Sequence, residues 1–498
     1  MEIDIRDDHE VTAEKISRVF GRLSIDKRRL GLSQLQKRGV PAFVAEWVLD
    51  SVVPGTGPLT KDEADKVRTW ASQRIPNSRE QEVIKYRLVQ GETLKFLTPV
   101  HTEVRLRKGS SEIVAELNLL GLDDVLIGND VLESFPDLLK QGMWGVAELV
   151  NTSNGVAITN FRPMQATVNL DLYKAARKEF TLSEWRDLML LSMGYNPGAF
   201  TEDEQLIILA RLLPLVEKNM HLMELAPKGT GKSYLYENIN PRVRLVSGGN
   251  VSPAVLFVNN ATGEWGLLAR FAVVVLDEVQ TLKFVQPEEV IGGLKGYLAN
   301  GVLSRGGLYQ TASDCSFVML ANIGLDEQQR PLQDILVNDL PDFLRETAFL
   351  DRLKGIIPGW QTQKLNANSF AESVGLKADF FGDALLALRD DLSADQYATS
   401  RIHFEGDRPY KRNQDAVRSI AGGMMKLLFP DGHTTDAEFT RYCLRPALQL
   451  RQLVWDQLYS LDAEYRQYER VIKCTLSRLE SASPPNHSIG LDPTVPFS

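Results

Sequence analysis

A short segment near the middle of the chain combines residue types that bind nucleotide phosphates. It reads LMELAPKGTGKSYLYENI, an apolar run followed by a glycine-rich loop and a helical stretch. Glycines let backbone N–H groups face phosphate oxygens, and the following helix offers its positive N-terminal end. In such a loop the lysine reaches the β- and γ-phosphates and the serine hydroxyl holds Mg²⁺. The segment predicts an ATP-binding loop formed by Ala226, Pro227, Lys228, Gly229, Thr230, Gly231, Lys232 and Ser233.

The loop departs from the usual G-x-x-x-x-G-K-[ST] pattern at its first position, which is Ala226 in this chain. Alanine is the smallest substitute for glycine, so the loop is expected to survive unless this position needs a positive φ angle. Taken alone, the segment is also compatible with an ordinary glycine loop.

Two adjacent acids end a second apolar run, FAVVVLDEV, 45 residues after Lys232. Carboxylates at the end of a buried strand are costly unless something nearby needs negative charge. This arrangement assigns Asp277 to the Mg²⁺ shell and Glu278 to orienting and deprotonating the attacking water. The alternative is that both acids cap the next helix.

Three further polar residues are candidates for the same chemistry. Asn322 ends the apolar run SFVMLANIG and is placed to hydrogen-bond the γ-phosphate or the water, unless it is a turn asparagine. Arg352, in TAFLDRLKGIIPGW, would reach the phosphates of a neighbouring subunit, or else pair with Asp351 at the surface. Arg412 opens a later helix and would touch the nucleotide from a lid, with Arg418 as the competing choice.

The order of these residues resembles that of the AAA+ ATPases, in which P-loop, Walker B, sensor 1, arginine finger and sensor 2 follow one another. The segment FLDRLKGIIPG is similar to the Lon ATPase module. More closely, KGTGKSYLYENINPRVRLVSGG, FAVVVLDEVQTL and GGLKGYLANGVLSRGG resemble the Lon-related BrxL proteins of BREX phage-defence systems. The resemblance is specific over residues 224–360 and looser elsewhere.

This resemblance implies an ATPase that uses ATP and Mg²⁺, binds DNA and takes part in blocking phage replication. It also implies a homo-oligomer, as a hexameric ring or stacked rings, with other BREX proteins as further candidate partners. Lon-related members commonly carry a C-terminal protease-like domain with a Ser–Lys dyad. We find no PxxGPSAG-like serine segment, so no protease activity is expected, and the sequence leaves open whether the chain is naturally short or truncated.

The rest of the chain predicts the elements that position these residues. Thr60, Thr181 and Thr201 each stand three residues before a glutamate, a capping-box arrangement that predicts a helix start at each place. Strand-length apolar runs alternate with helical stretches from residue 221 to about 358, which is typical of an α/β domain with a parallel sheet. The predicted fold class is an α/β AAA+ core with a helical lid, preceded by a helical region and a small β-rich, barrel-like domain. The predicted domains are a basic helical region (1–80), the β-rich domain (81–165), the ATPase core (166–365), the lid (366–480) and a flexible tail (481–498).

Composition bounds the class of protein. The 498 residues include 56 lysines and arginines and 65 aspartates and glutamates, which gives a net charge of −9. The apolar fraction of 43% and the charged fraction of 24% are those of ordinary soluble proteins. No window reaches the roughly 18 uncharged apolar residues of a membrane-spanning helix, and we expect no membrane association. Cys315, Cys443 and Cys474 show no pairing motif and the six histidines no ligand spacing, so a reducing cytoplasm is expected.

Two basic stretches are candidates for contacts with DNA phosphates. Small barrels often bind nucleic acid through a basic, aromatic-bearing face, and Tyr86 and Phe96 lie within the second stretch. No base-reading helix is evident, so binding is expected to be backbone-directed and salt-dependent, although charge runs are usually solvated faces. The two stretches comprise Lys15, Arg18, Arg22, Lys27, Arg28, Arg29, Lys37 and Arg38, and Lys85, Arg87, Lys95, Arg105, Arg107 and Lys108.

The segment PEEVIGGLKGYLANGVLSRGGLYQ predicts a helix followed by a tight hairpin, with glycines that include Gly306 and Gly307. Ring ATPases project loops into the central pore from this place, so Lys295 or Arg305 is a candidate for contact with threaded substrate. The alternative is a plain helix-to-hairpin connection in which Arg305 braces a subunit interface. A second functional hypothesis is a protein unfoldase or a nucleotide-gated scaffold that recruits other defence proteins.

Overall fold

A computed structural model describes residues 11–77, 79–107, 110–164, 168–305, 309–406 and 408–477. The predicted tail (481–498), Lys108 and the glycines Gly306 and Gly307 lie outside these residues. None of the helices in the described ranges is both long and apolar enough to cross a membrane.

The first part of the chain is helical, with one short strand. Val11, Ile16 and Phe20 pack into the same core as the helices of the α/β domain. Later helices form a separate core that includes Leu97 and Trp144 of the following domain. These helices therefore connect the two domains that follow them. The elements are α1 (Ala13–Phe20), β1 (Ser24–Asp26), α2 (Arg28–Ser33), α3 (Ala42–Val52), α4 (Lys61–Arg74) and α5 (Gln81–Val89).

Residues 94–163 form a closed five-stranded barrel. In the barrel the strands follow the order β2-β3-β4-β6-β5, and β5 also pairs with β2; the β4–β6 pair is parallel and the other pairs are antiparallel. The predicted β-rich domain (81–165) begins instead with a helix, because Ile84 and Leu88 pack from α5 onto the barrel core. The elements are β2 (Leu94–Arg107), β3 (Ser110–Leu117), β4 (Leu122–Ile127), α6 (Asn129–Ser134), β5 (Met143–Thr152) and β6 (Gly155–Pro163).

Four helices lead from the barrel into the α/β core. Two of them start at predicted capping boxes, and both boxes are confirmed: Thr181 and Thr201 each accept a hydrogen bond from the backbone N–H of a glutamate three residues on. The capping box predicted at Thr60 is confirmed in the same way at the start of α4. The four helices are α7 (Leu170–Arg177), α8 (Leu182–Ser192), α9 (Glu202–Ala210) and α10 (Leu213–Val216).

The centre of the α/β core is a five-stranded parallel sheet in the order β15-β7-β14-β10-β8. The three apolar runs predicted as strands are β7, β10 and β14, so their parallel arrangement is confirmed. Alternate residues of each strand enter two different apolar cores, one on each face of the sheet. The strands are β7 (Leu222–Ala226), β8 (Val243–Ser247), β10 (Val273–Asp277), β14 (Ser316–Asn322) and β15 (Gly355–Pro358).

Between β10 and β14 the chain forms the predicted helix and antiparallel hairpin, α14 (Pro287–Asn300), β12 (Val302–Arg305) and β13 (Tyr309–Ala312). Gly301 ends the helix with a φ of 70°, in the left-handed region that favours glycine. The remaining elements of the core are α11 (Lys232–Asn238), β9 (Asn250–Val251), α12 (Pro253–Leu256), α13 (Leu267–Arg270), β11 (Lys283–Phe284) and α15 (Thr347–Leu350).

The region after β15 is mostly helical and packs against the core. Its first strand, β16, pairs with β1, so the start of the described chain is hydrogen-bonded to this region. The elements are β16 (Val374–Leu376), α16 (Ala378–Ala387), α17 (Ser393–Arg401), β17 (Ile402–Phe404), α18 (Lys411–Leu428), α19 (Asp436–Phe439), a π-helical turn (Thr440–Leu444), α20 (Arg445–Leu461) and β18 (Cys474–Leu476).

Candidate active site at the carboxyl edge of the sheet

The predicted phosphate-binding loop connects β7 to α11. Gly229 has a φ of 87° and Gly231 a φ of 74°, so both occupy the left-handed region that L-residues with a side chain rarely adopt. The chain then enters α11 at Lys232, which places the helix N-terminus directly after the loop. This is the strand–loop–helix arrangement that the sequence predicts for a triphosphate site.

The structure explains why the loop tolerates alanine at its first position. Ala226 is the last residue of β7, is fully buried and is not among the residues with positive φ. The methyl group has room because the neighbouring segment carries Gly359: a Cβ atom there would lie 2.5 Å from the Cβ of Ala226. The glycine at position 359 thus leaves the space that the methyl group of Ala226 occupies.

The loop lysine lies beside polar ends of two other strands. The Nζ of Lys232 donates a hydrogen bond to Oδ1 of Asn322, 2.9 Å away, at the end of β14. Burial lowers the pKa of Lys232, while the negative charges of Glu224, Asp277 and Glu278 act in the opposite direction. The predicted lysine, asparagine and carboxylates therefore share one edge of the sheet.

The two acids have different environments. Asp277 is the last residue of β10 and only 6% exposed, and its Oδ1 accepts a hydrogen bond from the backbone N–H of Glu278 at 2.9 Å. Glu278 has a φ of 47°, an unusual backbone angle for a residue with a side chain. The carbonyl of Glu278 accepts hydrogen bonds from both the backbone N–H and the hydroxyl of Thr281, which fix this turn.

Sequence reasoning missed the residue that holds Asn322 in place. The side chain of Gln280 donates to the carbonyl of Asn322 at 2.5 Å and accepts from its backbone N–H at 3.2 Å. This pair of bonds ties the turn after β10 to the end of β14 and orients Asn322 toward Lys232. The only signal in the sequence is an amide three residues after Asp277.

Ser233 and Asp277 are the residues that would hold Mg²⁺. Ser233 is half-buried in the first turn of α11, and both side chains supply the oxygen ligands that Mg²⁺ prefers. Within the described residues, no group of three or more histidine, cysteine, aspartate or glutamate side chains forms a complete metal site. The two residues therefore fit an ion whose other ligands come from nucleotide phosphates and water.

The structure does not bring the predicted arginines to this edge. Arg352 precedes β15, so it lies at the amino ends of the strands, opposite the phosphate-binding loop. Its Nη1 donates to the carbonyl of Ala348, and its buried Nε has no hydrogen-bond partner among the described residues. Arg412 pairs with Asp351, the residue that precedes Arg352. Arg418 donates to the carbonyl of Ile402, so both arginines are engaged away from the loop.

Asp351 connects this arginine segment to the helical region. It is 1% exposed, and its carboxylate accepts hydrogen bonds from Tyr410, Arg412 and Arg451. Arg451 is fully buried in α20 and also donates to the carbonyl of Leu353 at 2.5 Å. The backbone on both sides of Arg352 is thus fixed by residues from α18 and α20.

The two cations proposed for pore contacts are both engaged within the chain. Lys295 pairs with Glu346 at 2.6 Å, and Arg305 pairs with Glu289 at 2.7 Å. Arg305 also donates to the carbonyl of Val258. These contacts brace the hairpin against the core of the same subunit.

Many cations of the first basic stretch have structural partners. Lys27 and Glu46 form a buried ion pair, Arg29 is buried and donates to two backbone carbonyls, and Lys15 pairs with Glu184. Arg28 pairs with Asp26, and Arg38 donates to backbone carbonyls at the end of α4. The exposed members with no acidic partner among the described residues are Arg18, Arg22 and Lys37.

Four cations of the second stretch also have acidic partners, whereas the side chain of Arg107 and the whole of Lys108 lie outside what the structure describes. Lys85 pairs with Glu82, Arg87 with Glu92 and Lys95 with Glu148, while Arg105 contacts both Glu103 and Asp124. Tyr86 is 63% exposed, but Phe96 is 4% exposed and belongs to the barrel core. The prediction that Phe96 offers a face for stacking is therefore wrong, because strand alternation directs it inward.

Two family models match consecutive parts of the chain. Residues 18–150 match the BREX system Lon protease-like protein BrxL N-terminal model. Residues 156–471 match the Lon-like protease BrxL-like ATPase domain, which covers the phosphate-binding loop, both acids and Asn322. The second match alone spans more than half of the chain.

Individual relatives agree with the family models. The chain is 28% identical over 87% of its length to the Lon-like protease BrxL of Escherichia coli O9:H4 (strain HS), of which it covers 63%. It is 30% identical over 86% of its length to the Lon-like protease BrxL of Bacillus cereus (strain H3081.97), of which it covers 64%. An uncharacterized protein, ORF426, of Acidianus filamentous virus 1 is 24% identical over half of the chain.

The chain thus spans slightly less than two-thirds of the length of these BrxL relatives. The matched residues include the whole sheet, the phosphate-binding loop and the acids at the ends of its strands. Because residues 156–471 match the BrxL-like ATPase domain and form an AAA+-like parallel sheet, the chain belongs to the BrxL-like family of Lon-related proteins.

Proposed function

We propose that this protein hydrolyses ATP at the carboxyl edge of its parallel sheet, as an ATPase of bacterial BREX defence against phage. The observation that carries this proposal is the contact of Lys232 with Asn322 beside Asp277 and Glu278. A buried ammonium flanked by carboxylates and an amide has the charges and hydrogen-bonding groups needed to bind and cleave a triphosphate.

Each residue has a distinct part in the proposed reaction. Lys232 leaves Asn322 and binds the β- and γ-phosphate oxygens, together with the backbone N–H groups of the loop. Asn322 then has a free amide with which to orient the attacking water. Glu278 accepts the proton of that water as the water oxygen bonds to the γ-phosphorus and the bond to the ADP oxygen breaks. A Mg²⁺ ion held by Ser233 and Asp277 would supply positive charge to the phosphate oxygens.

The test of the proposed base is Glu278→Gln. This change keeps the size of the side chain and removes its ability to accept a proton, so ATP turnover should fall by at least about a hundredfold. Binding of ATPγS, measured by calorimetry, should stay within about twofold of wild type because Lys232 and the loop are intact.

Glu288→Gln is the matched control, since Glu288 is exposed on the first turn of α14, away from the loop. It should leave both turnover and binding unchanged. Wild-type turnover in the Glu278→Gln protein would refute the assignment of Glu278, and failure of the wild-type protein to bind ATPγS would refute the proposed function.

We further propose that the ATPase works as a ring, in which Arg352 of one subunit completes the site of its neighbour. The location of Arg352 at the opposite edge of its own sheet supports this, because the side chain cannot serve its own loop from there. A guanidinium at the neighbour's γ-phosphate would stabilise transition-state charge and couple hydrolysis to assembly.

Subunit mixing tests the ring. Arg352→Ala and Lys232→Ala should each abolish ATP turnover when pure, since every site then lacks one essential cation. A mixture of the two proteins should recover part of the turnover, because some interfaces combine an intact lysine with an intact arginine. Lack of recovery in a mixture that forms mixed oligomers by light scattering would contradict the proposal.

DNA is the proposed partner, and ATP hydrolysis would remodel it or drive movement along it. The five-stranded closed barrel supports this proposal, because barrels of the OB class bind oligonucleotides through one face and two loops. Arg18, Arg22 and Lys37 are exposed and have no acidic partner within the part of the chain that the structure describes. They are therefore better candidates for phosphate contacts than the paired cations of α5 and the barrel. Remodelling of a partner protein is the alternative.

The ATPase rate with and without duplex DNA, measured over a salt series, separates these two functions. DNA should stimulate turnover at low salt and lose its effect as salt rises, because phosphate contacts release counterions. Replacing Arg18, Arg22 and Lys37 by alanine should weaken the stimulation, whereas replacing the paired Lys85 and Arg87 should not. Indifference of the wild-type rate to DNA would favour the protein-remodelling alternative.

A further inference from the structure

Three donors outside the phosphate-binding loop hold three consecutive carbonyls of the loop. The carbonyl of Gly229 accepts from the backbone N–H of Leu365 at 2.8 Å. The carbonyl of Thr230 accepts from Nη1 of Arg211 at 3.2 Å, and that of Gly231 from the hydroxyl of Tyr195 at 3.2 Å. Carbonyls drawn to donors behind the loop leave its N–H groups free to face phosphate oxygens.

Arg211 is the charged member of this set, and it is itself fixed by a carboxylate. Its Nη2 and Nε donate to Glu224, with the shortest distance 2.7 Å. Both side chains are fully buried, at 1% and 0% exposure. A bidentate Arg–carboxylate pair has a rigid geometry, so the remaining nitrogen, Nη1, points to Thr230 in one fixed direction.

The position of Glu224 argues against a purely packing role. It lies in the middle of β7, whose other residues are apolar, and a buried pair is rarely more stabilising than apolar side chains of the same volume. The pair is also close enough to affect the loop lysine: Glu224 raises the pKa of Lys232 and Arg211 lowers it, against the larger effect of burial. Together the two side chains carry no net formal charge.

We propose that Arg211, fixed by Glu224, and Tyr195 are positioning residues that keep the phosphate-binding loop in its nucleotide-binding conformation. They act through the carbonyls of Thr230 and Gly231 and touch no part of the nucleotide. The inference rests on the proposed binding of ATP by this loop. It gives Arg211 and Tyr195, which precede β7, a role in ATP affinity, although neither residue lies in a nucleotide-binding sequence motif.

The test replaces the ion pair by apolar residues of similar size, Arg211→Met with Glu224→Leu. The double variant should fold with a thermal midpoint close to that of wild type, because the buried charges are removed together. ATPγS should bind about tenfold more weakly, because the loop loses its charged anchor. The variant keeps the formal net charge of the site, and a second variant that alters no charge separates loop geometry from electrostatics.

Tyr195→Phe tests the same inference with a smaller change. It keeps the ring in place and removes one neutral hydrogen bond to Gly231, so ATPγS affinity should fall about fivefold with little change in the thermal midpoint. This variant decides the question if the double variant does not fold.

The matched control is a second buried charge cluster, in which Lys426 of α18 pairs with Glu217, from the chain before β7, and with Asp395. Lys426→Met with Glu217→Gln should change the thermal midpoint but leave ATPγS affinity within about twofold. Wild-type affinity in both loop variants would overturn the inference while leaving the proposed function intact. Failure of wild type to bind ATPγS would instead overturn the proposed function.

Discussion

The order of the strands is the constraint on which the candidate site depends, because it brings Lys232 within hydrogen-bonding distance of Asn322. β14 lies between β7 and β10, so Asn322 stands between the loop lysine and the acids that end β10. A buried ammonium group is stable only among groups that accept hydrogen bonds from it or carry an opposite charge. The apolar layers on both faces of the sheet hold the strands in this register, and the polar groups meet where the layers end.

Much of this arrangement was predictable from local sequence. The runs LMELA, VVVLD and SFVMLAN are apolar at every position or nearly so, which is the pattern of buried parallel strands, and polar residues at their ends must meet at one edge. The capping boxes and the helix before the hairpin were predictable for the same reason, because their signals lie within a few residues. Such local signals also predicted the site residues Lys232, Asp277, Glu278 and Asn322.

Interactions between distant segments could not be predicted in this way. The cations of the barrel look like a DNA-binding set in sequence, but their acidic partners come from other strands and cancel much of their charge. The roles of Arg352 and Arg412 were predicted from the order of motifs along the chain. In the fold, Arg412 pairs with Asp351 instead of lying at the phosphate-binding loop. Glu224 carried a usable signal, since a carboxylate within a buried strand requires a cationic partner, but nothing near it indicates Arg211.

The most direct test of the central claim is an experimental structure of the protein with ATPγS and Mg²⁺. The account predicts the terminal phosphate within about 3 Å of Nζ of Lys232, with Asn322 released from the lysine and Ser233 and Asp277 at the metal. A nucleotide bound away from residues 226–233, or a lysine still bonded to Asn322 with the phosphates elsewhere, would contradict it.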